Sequence, residues 1–219
     1  MIRLIKATVE KNGKKIIREG DLTLREGEIV EVFGRNGSGK TTLLKVLALM
    51  QRLSSGRIIY FGKDVTNSKE AGLSRIRLHY IGYVEQQYRL IPGTSVVESV
   101  SLPLLLKGVK RKEAERIALA ILPRLNLAGK EYESVENLSA GERQRVSIAS
   151  ALAKDPKALI LDEPFSSQDE GSETSIKEVL EGLKGKGKIV VFSSPYLIKG
   201  IADKAYFINE GSLVEKRSI

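Results

Sequence analysis

Residues 34–41 read Gly34-Arg35-Asn36-Gly37-Ser38-Gly39-Lys40-Thr41, a glycine-rich run closed by a lysine and a hydroxyl residue. Glycines let the backbone wrap until its N–H groups point inward, and inward N–H groups at the start of a helix bind phosphate oxygens. The spacing matches G-x-x-x-x-G-K-[ST]. In that arrangement Lys40 bridges the β- and γ-phosphates of a nucleoside triphosphate, Thr41 offers its hydroxyl to Mg²⁺, and Thr42 reaches the α-phosphate. A tight turn that merely favours glycine would leave Lys40 and both threonines unexplained.

Two further clusters carry chemistry. The run Ala158-Leu159-Ile160-Leu161-Asp162-Glu163-Pro164 ends an apolar strand in two acids. Ligands of open α/β sheets bind at that carboxyl edge, so Asp162 is expected to hold Mg²⁺ and Glu163 to polarise a water that attacks the γ-phosphorus. Taken alone, the pair would equally well cap a turn. Leu138-Ser139-Ala140-Gly141-Glu142-Arg143-Gln144-Arg145 precedes a helical run. Ser139 and Glu142 have the spacing of a capping box, and a serine and a glycine at a helix start also make an anion site.

These residues need elements to hold them. Residues 1–33 read as strands broken by Gly13, Gly20 and Gly27, the last of them Glu28-Ile29-Val30-Glu31-Val32-Phe33 leading into the glycine turn. Leu43, Leu44, Val46, Leu47 and Met50 then recur at helical spacing. A second strand is expected at Tyr80-Ile81-Gly82-Tyr83-Val84, and buried strands at residues 158–161 and 189–192. Residues 94–155 read as helical, punctuated by Pro92-Gly93 and Pro103 and strongly amphipathic over 111–125. The alternation predicts an α/β core at 1–90 and 156–219 with a helical insertion at about 91–155, forming one domain.

Composition sets bounds. The chain has 219 residues, 42% hydrophobic and 29% charged, enough for a sizeable core. It has no cysteine, which excludes disulfides and thiolate metal sites. Apolar runs stay short of the eighteen or so residues that span a bilayer, and the start lacks the features of a secretory signal, so a cytoplasmic location is expected. The net charge of +9 is spread among alternating acids and bases, which favours a mixed solvated surface, and no nucleic-acid partner is expected.

Taken together, the phosphate motif, the helix-start motif and the acid pair, in that chain order, resemble the ATP-binding cassette (ABC) ATPases over nearly the whole length. The resemblance implies an α/β P-loop NTPase core with a mixed sheet, an antiparallel β subdomain and an inserted helical subdomain. It implies ATP and Mg²⁺ as cofactors and hydrolysis of ATP. Leu138, Ser139 and Gly141 match the family signature, with Ala140 and Glu142 in place of its usual glycine and glutamine. Gln86 matches the glutamine that reaches Mg²⁺ and links core to insertion, while Ser166-Ser167-Gln168-Asp169 resembles the loop whose aspartate lies at the nucleotide. In this family the signature of one subunit faces the phosphate cradle of a second, so a homo- or heterodimer is implied, with a separate membrane permease as partner and a place on the inner face of the cell membrane. Residues 90–109 look most like the lipoprotein-releasing and macrolide-exporter subgroup.

Two departures stand out. Where the family places its switch histidine, this chain has Ser194 followed by Pro195, and a serine hydroxyl reaches less far toward a γ-phosphate. The sole histidine, His79, precedes a strand and reads as structural. Residues 7–13 contain no aromatic ring to stack on adenine. A soluble ABC ATPase without a permease and a slow-hydrolysing ATP-binding module therefore stay open as rival readings.

Overall fold

The computed structural model describes residues 1–166 and 170–216. In chain order the elements are β1 (Ile2–Lys11), β2 (Lys14–Leu24), β3 (Ile29–Phe33), α1 (Lys40–Leu47), β4 (Ser55–Tyr60), β5 (Lys63–Asp64), α2 (Glu70–Tyr80) and β6 (Ile81–Val84). They continue with α3 (Val96–Leu106), α4 (Arg111–Ile121), α5 (Ala140–Ala153), β7 (Ala158–Leu161), α6 (Glu170–Lys184), β8 (Ile189–Ser194), β9 (Lys204–Asn209) and β10 (Ser212–Lys216). One sheet is antiparallel, in the order β2-β1-β4-β5. The other runs β10-β9-β3-β8-β7-β6, parallel throughout except for β10 at its edge. This is the α/β arrangement of a mixed sheet beside an antiparallel one that the family resemblance implies.

Both faces of the mixed sheet are covered. Along β7, Leu159 and Leu161 point into one apolar cluster and Ala158 and Ile160 into the other, and β8 divides Val190 and Phe192 from Ile189 and Val191 in the same way. Two buried faces are why these strands read as unbroken apolar runs. The first cluster also takes Val96, Val97, Val100 and Leu104 of α3, Ala114 and Ala118 of α4, and Val146 and Ala149 of α5. Helices α3, α4 and α5 therefore share their core with one face of the sheet.

Local chemistry sets the helix boundaries. Ser95 caps α3 in a reciprocal box with Glu98, its hydroxyl accepting from Glu98 N at 3.3 Å and its own N–H donating to the Glu98 carboxylate at 2.9 Å. Pro103 has no N–H for the carbonyl of Ser99, and the Ser150 hydroxyl of α5 supplies the missing donor at 3.2 Å. None of the helices among the described residues is long and apolar enough to cross a membrane.

Some expectations need correction. Gly20 does not break a strand: β2 runs through it, with a register irregularity opposite Ala7. A Cβ there would meet Leu213 Cδ1 of β10 at 2.6 Å, a contact that a shift of the leucine side chain would relieve. Tyr80 ends α2 instead of opening β6, and α2 itself carries only one buried residue, Leu73, which leaves no apolar stripe to read. Residues 122–139 are turns with two short 3₁₀ segments instead of continuous helix, the first of them carrying Pro123.

Phe192 is fully buried in β8 and stands edge-on to Phe165, ring centroids 5.4 Å apart. Phe192→Ala is expected to lower unfolding stability by about 3–5 kcal/mol, measured by urea denaturation.

Candidate functional site

Because β3, β6, β7 and β8 are parallel, their carboxyl ends emerge along one edge, with Phe33 opposite Ser194, Leu161 opposite Phe192 and Val84 opposite Leu161. The glycine run follows β3, Gln86 follows β6, and Asp162 and Glu163 follow β7. The topology thus gathers residues that lie as far apart in the chain as Gly34 and Glu163.

The cradle is tightly wound. Gly34 donates its N–H to the Ser194 carbonyl at 3.2 Å, and Ser38 N–H donates to the Arg35 carbonyl at 3.1 Å. Gly39 takes a left-handed φ of 111° just before α1 begins at Lys40, and a Cβ there would meet the Ile16 carbonyl at 2.9 Å. A Cβ on Gly34 would lie 2.3 Å from the Ile208 carbonyl. Arg35, Asn36, Gly37 and Thr41 are exposed and Thr42 is half-buried. Ser38 Oγ is buried with no hydrogen-bond partner, the kind of orphaned polar atom that a phosphate-sized acceptor would satisfy. The residues therefore fit a polyphosphate.

Lys40 is the centre of this arrangement. Only 4% exposed, its ammonium donates to the carbonyls of Gly34 at 2.8 Å and Arg35 at 3.3 Å and lies 3.4 Å from Glu163 Oε1. The other carboxylate oxygen of Glu163 accepts from the Gln86 amide at 2.8 Å. A cavity of about 470 Å³ is lined by Ile16, Asn36, Gly37, Gly39, Lys40, Thr41, Thr42, Gln86 and Glu163. Four separate stretches of chain so meet around one space. Ile16 is the large apolar side chain in that lining, and no aromatic ring borders it among the described residues.

Asp162 is buried at the end of β7 and accepts the Ser193 hydroxyl at 2.6 Å. The same Ser193 oxygen accepts the backbone N–H of Glu163 at 2.9 Å, while Glu163 itself turns through a left-handed φ of 51°. Just beyond, the Gln144 amide of α5 donates to the Pro164 carbonyl at 2.7 Å, both groups buried. Neither Ser193 nor Gln144 is singled out by the sequence. Their signals, a polar residue at the end of an apolar strand and a fully buried glutamine in a helix, are faint without the fold.

Successive side chains of β8 face opposite ways. With Ser193 on the acids, Ser194 turns from the cradle, and its buried hydroxyl donates to Glu31 of β3. Ser194 lines a second cavity, of about 400 Å³, with Glu163, Phe165, Tyr196 and Ile198 among others. His79 sits in the last turn of α2 and lines neither cavity.

Ser139 caps α5 through the expected box: Glu142 N–H donates to its hydroxyl at 3.2 Å, and its own N–H donates to Glu142 Oε2 at 2.8 Å. Lys130, 2.9 Å away, and the Ser139 N–H hold the Glu142 carboxyl down at about 2. Ser139 is exposed, Gly141 buried, and neither these two nor Glu142 lines the cradle cavity. Asp169 lies outside the described residues.

Residues 17–166 match the family described as ABC transporter. The chain is 34% identical over 207 residues to the lipoprotein-releasing system ATP-binding protein LolD of Hahella chejuensis, covering 94% of this chain and 90% of that protein. It is 32% identical over 196 residues to the macrolide export ATP-binding/permease protein MacB 2 of Aeromonas hydrophila, covering 89% of this chain but only 30% of that longer protein. Among solved structures, the ATP-binding cassette MJ0796, in a dimeric post-hydrolysis state bound to ADP and Pi, superposes with a TM-score of 0.91 at 27% identity, over the full length of both chains.

Glu31 gives the site a pH signature. Burial pushes its carboxyl above the ordinary 4.5, against the hydrogen bonds from Ser194 and the Ile198 N–H that pull it down. A raised folded-state value means that stability present below the ordinary value is lost as pH rises through the folded one. Glu31→Gln, neutral throughout, is expected to be more stable than the parent at about pH 8, the gap closing as pH falls toward the ordinary carboxylate value; urea midpoints measured across this range check it.

Proposed function

Because this chain belongs to the ABC transporter family, we propose that residues 34–42, Gln86, Asp162 and Glu163 form the site at which it binds MgATP and hydrolyses it to ADP and phosphate. The observation that carries this reading is the meeting of Lys40, Gln86 and Glu163 around the cradle, three residues joined by bonds of 2.8 and 3.4 Å. Beyond the N–H groups of Gly34 and Ser38, which are bonded within the protein, the wound backbone of residues 34–39 has N–H groups left to meet phosphates at the positive end of α1. Lys40 exchanges its carbonyl contacts for β- and γ-phosphate oxygens, and Thr42 meets the α-phosphate. Thr41, Asp162 and Gln86 supply the oxygen donors that suit Mg²⁺, which when bound neutralises charge on the transferred group.

Glu163 is placed to orient a water and take its proton, and Gln86 fixes the carboxylate's direction. Ser193 holds this acid and Asp162 through a single hydroxyl. The signature residues Ser139, Gly141 and Glu142 lie outside the cradle of their own chain, which supports a second ABC subunit, identical or not, that contributes them in trans. Closure of the pair on MgATP and release after hydrolysis drive a separate membrane permease, with the chain peripheral on the inner, cytoplasmic face of the membrane. With Ser194 turned to Glu31, the chain has no histidine at the switch position, and turnover is expected to be slow.

Lys40→Ala is expected to abolish tight MgATP binding, because it deletes the charge that offsets two phosphates; unchanged affinity by calorimetry sinks the cradle. Glu163→Gln is expected to keep MgATP binding and trap an ATP-bound dimer, since it preserves shape and removes the proton acceptor. Sedimentation with MgATP that finds only monomer for this variant rules out either Glu163 as the catalytic base or a second copy as the partner.

A further inference from the structure

Glu31 is a fully buried acid in a strand that is otherwise apolar, flanked by Val30 and Val32. Among the described residues it has no cationic partner within ion-pair distance. A buried carboxyl so placed is a poor way to fill a core, because an apolar residue of the same volume serves packing at least as well. Its hydrogen bonds show a different use. One oxygen accepts both the Ser194 hydroxyl and the Ile198 N–H, the latter at 3.0 Å, and the other oxygen lies 3.2 Å from the same N–H. All of them go to one stretch, residues 194–198, which begins at the last residue of β8 and runs into the loop beyond it.

That stretch hangs directly from the residue that organises the acids. Ser193 bridges Asp162 and Glu163, and the Ser194 carbonyl takes the N–H of Gly34, the first residue of the cradle. Strand β3, which carries the cradle at its end, is therefore tied to the β8 loop twice, once through backbone and once through Glu31. We propose that Glu31 is a positioning residue for ATP hydrolysis: through Ser194 and Ile198 it pins the loop after β8, so that Ser193 keeps Asp162 and Glu163 aligned with Lys40. The proposal rests on the reading of the cradle and the acid pair as an ATPase site. It also gives Ser194 a task different from the phosphate contact expected of its position.

The test compares the parent chain with Glu31→Leu, which fills the space without an acceptor, and Glu31→Gln, which keeps one acceptor oxygen. Steady-state kcat and KM for MgATP are measured with amide hydrogen exchange over residues 194–199. In Glu31→Leu, kcat is expected to fall at least about tenfold with KM held within about twofold, and exchange at Ile198 to quicken; Glu31→Gln is expected to stay within about threefold of the parent in both. Parental kcat and exchange in Glu31→Leu overturn the proposal, as does a loss of kcat that Glu31→Gln shares or that KM follows in step. If Glu31→Leu does not fold, Ser194→Ala removes one of the two donors and is read the same way, with a smaller loss expected and parental values overturning. A parent chain that fails to bind MgATP would sink the nucleotide reading instead, and the exchange rates alone would then decide whether Glu31 holds the loop.

Discussion

A lysine ammonium taken almost wholly out of water must be surrounded by oxygen atoms, and Lys40 dictates much of the architecture around it. Two carbonyls from its own loop and a carboxylate from another strand meet that need. The loop can offer those carbonyls only if it winds back on itself, which calls for glycine where the backbone of Ile208 and Ile16 presses close. The carboxylate arrives only if β7 runs parallel to β3 and ends at the same edge, one strand removed with β8 between them. The mixed sheet thus serves to bring one cation and its oxygens together.

The middle strand β8 does more than fill the gap. Its alternating side chains let two adjacent serines serve two different neighbours, Asp162 and Glu163 on one face and Glu31 on the other. Each hydroxyl donates to a buried carboxyl, Ser193 to Asp162 and Ser194 to Glu31. A second support comes from α5, whose Gln144 holds the carbonyl that follows the acid pair, so the helix carrying Ser139 at its start is bonded to the turn that carries Glu163.

The cradle was legible because its residues are contiguous and its chemistry is local, and the acids were legible because an apolar strand ended in them. The buried strands and the capping box of α5 were legible for the same reason, each being a pattern within a few residues. What could not be read were bonds across the chain: Glu31 to Ser194 spans 163 positions and Ser193 to Glu163 spans 30. A glutamate inside an apolar strand, or two serines in a row, gives no sign of its partner. Gly20 misled for a related reason, since it lies inside β2, beside Leu213 of a distant strand, and not in a turn. Helix α2 was missed because it buries a single side chain and so lacks the periodicity that betrays a helix.

The left-handed backbone at Glu163 has a consequence for how this chain can change. A long side chain rests there at φ 51°, a conformation that glycine or asparagine adopts more easily and that costs other residues on the order of 1 kcal/mol or more. With Glu163 as the proposed catalytic base, selection for a firmer fold and selection for activity pull in opposite directions at this position. A lineage in which such a cassette was kept only to grip its nucleotide would drift first here, trading the acid for a residue that suits the bend, while the cradle stayed as it is.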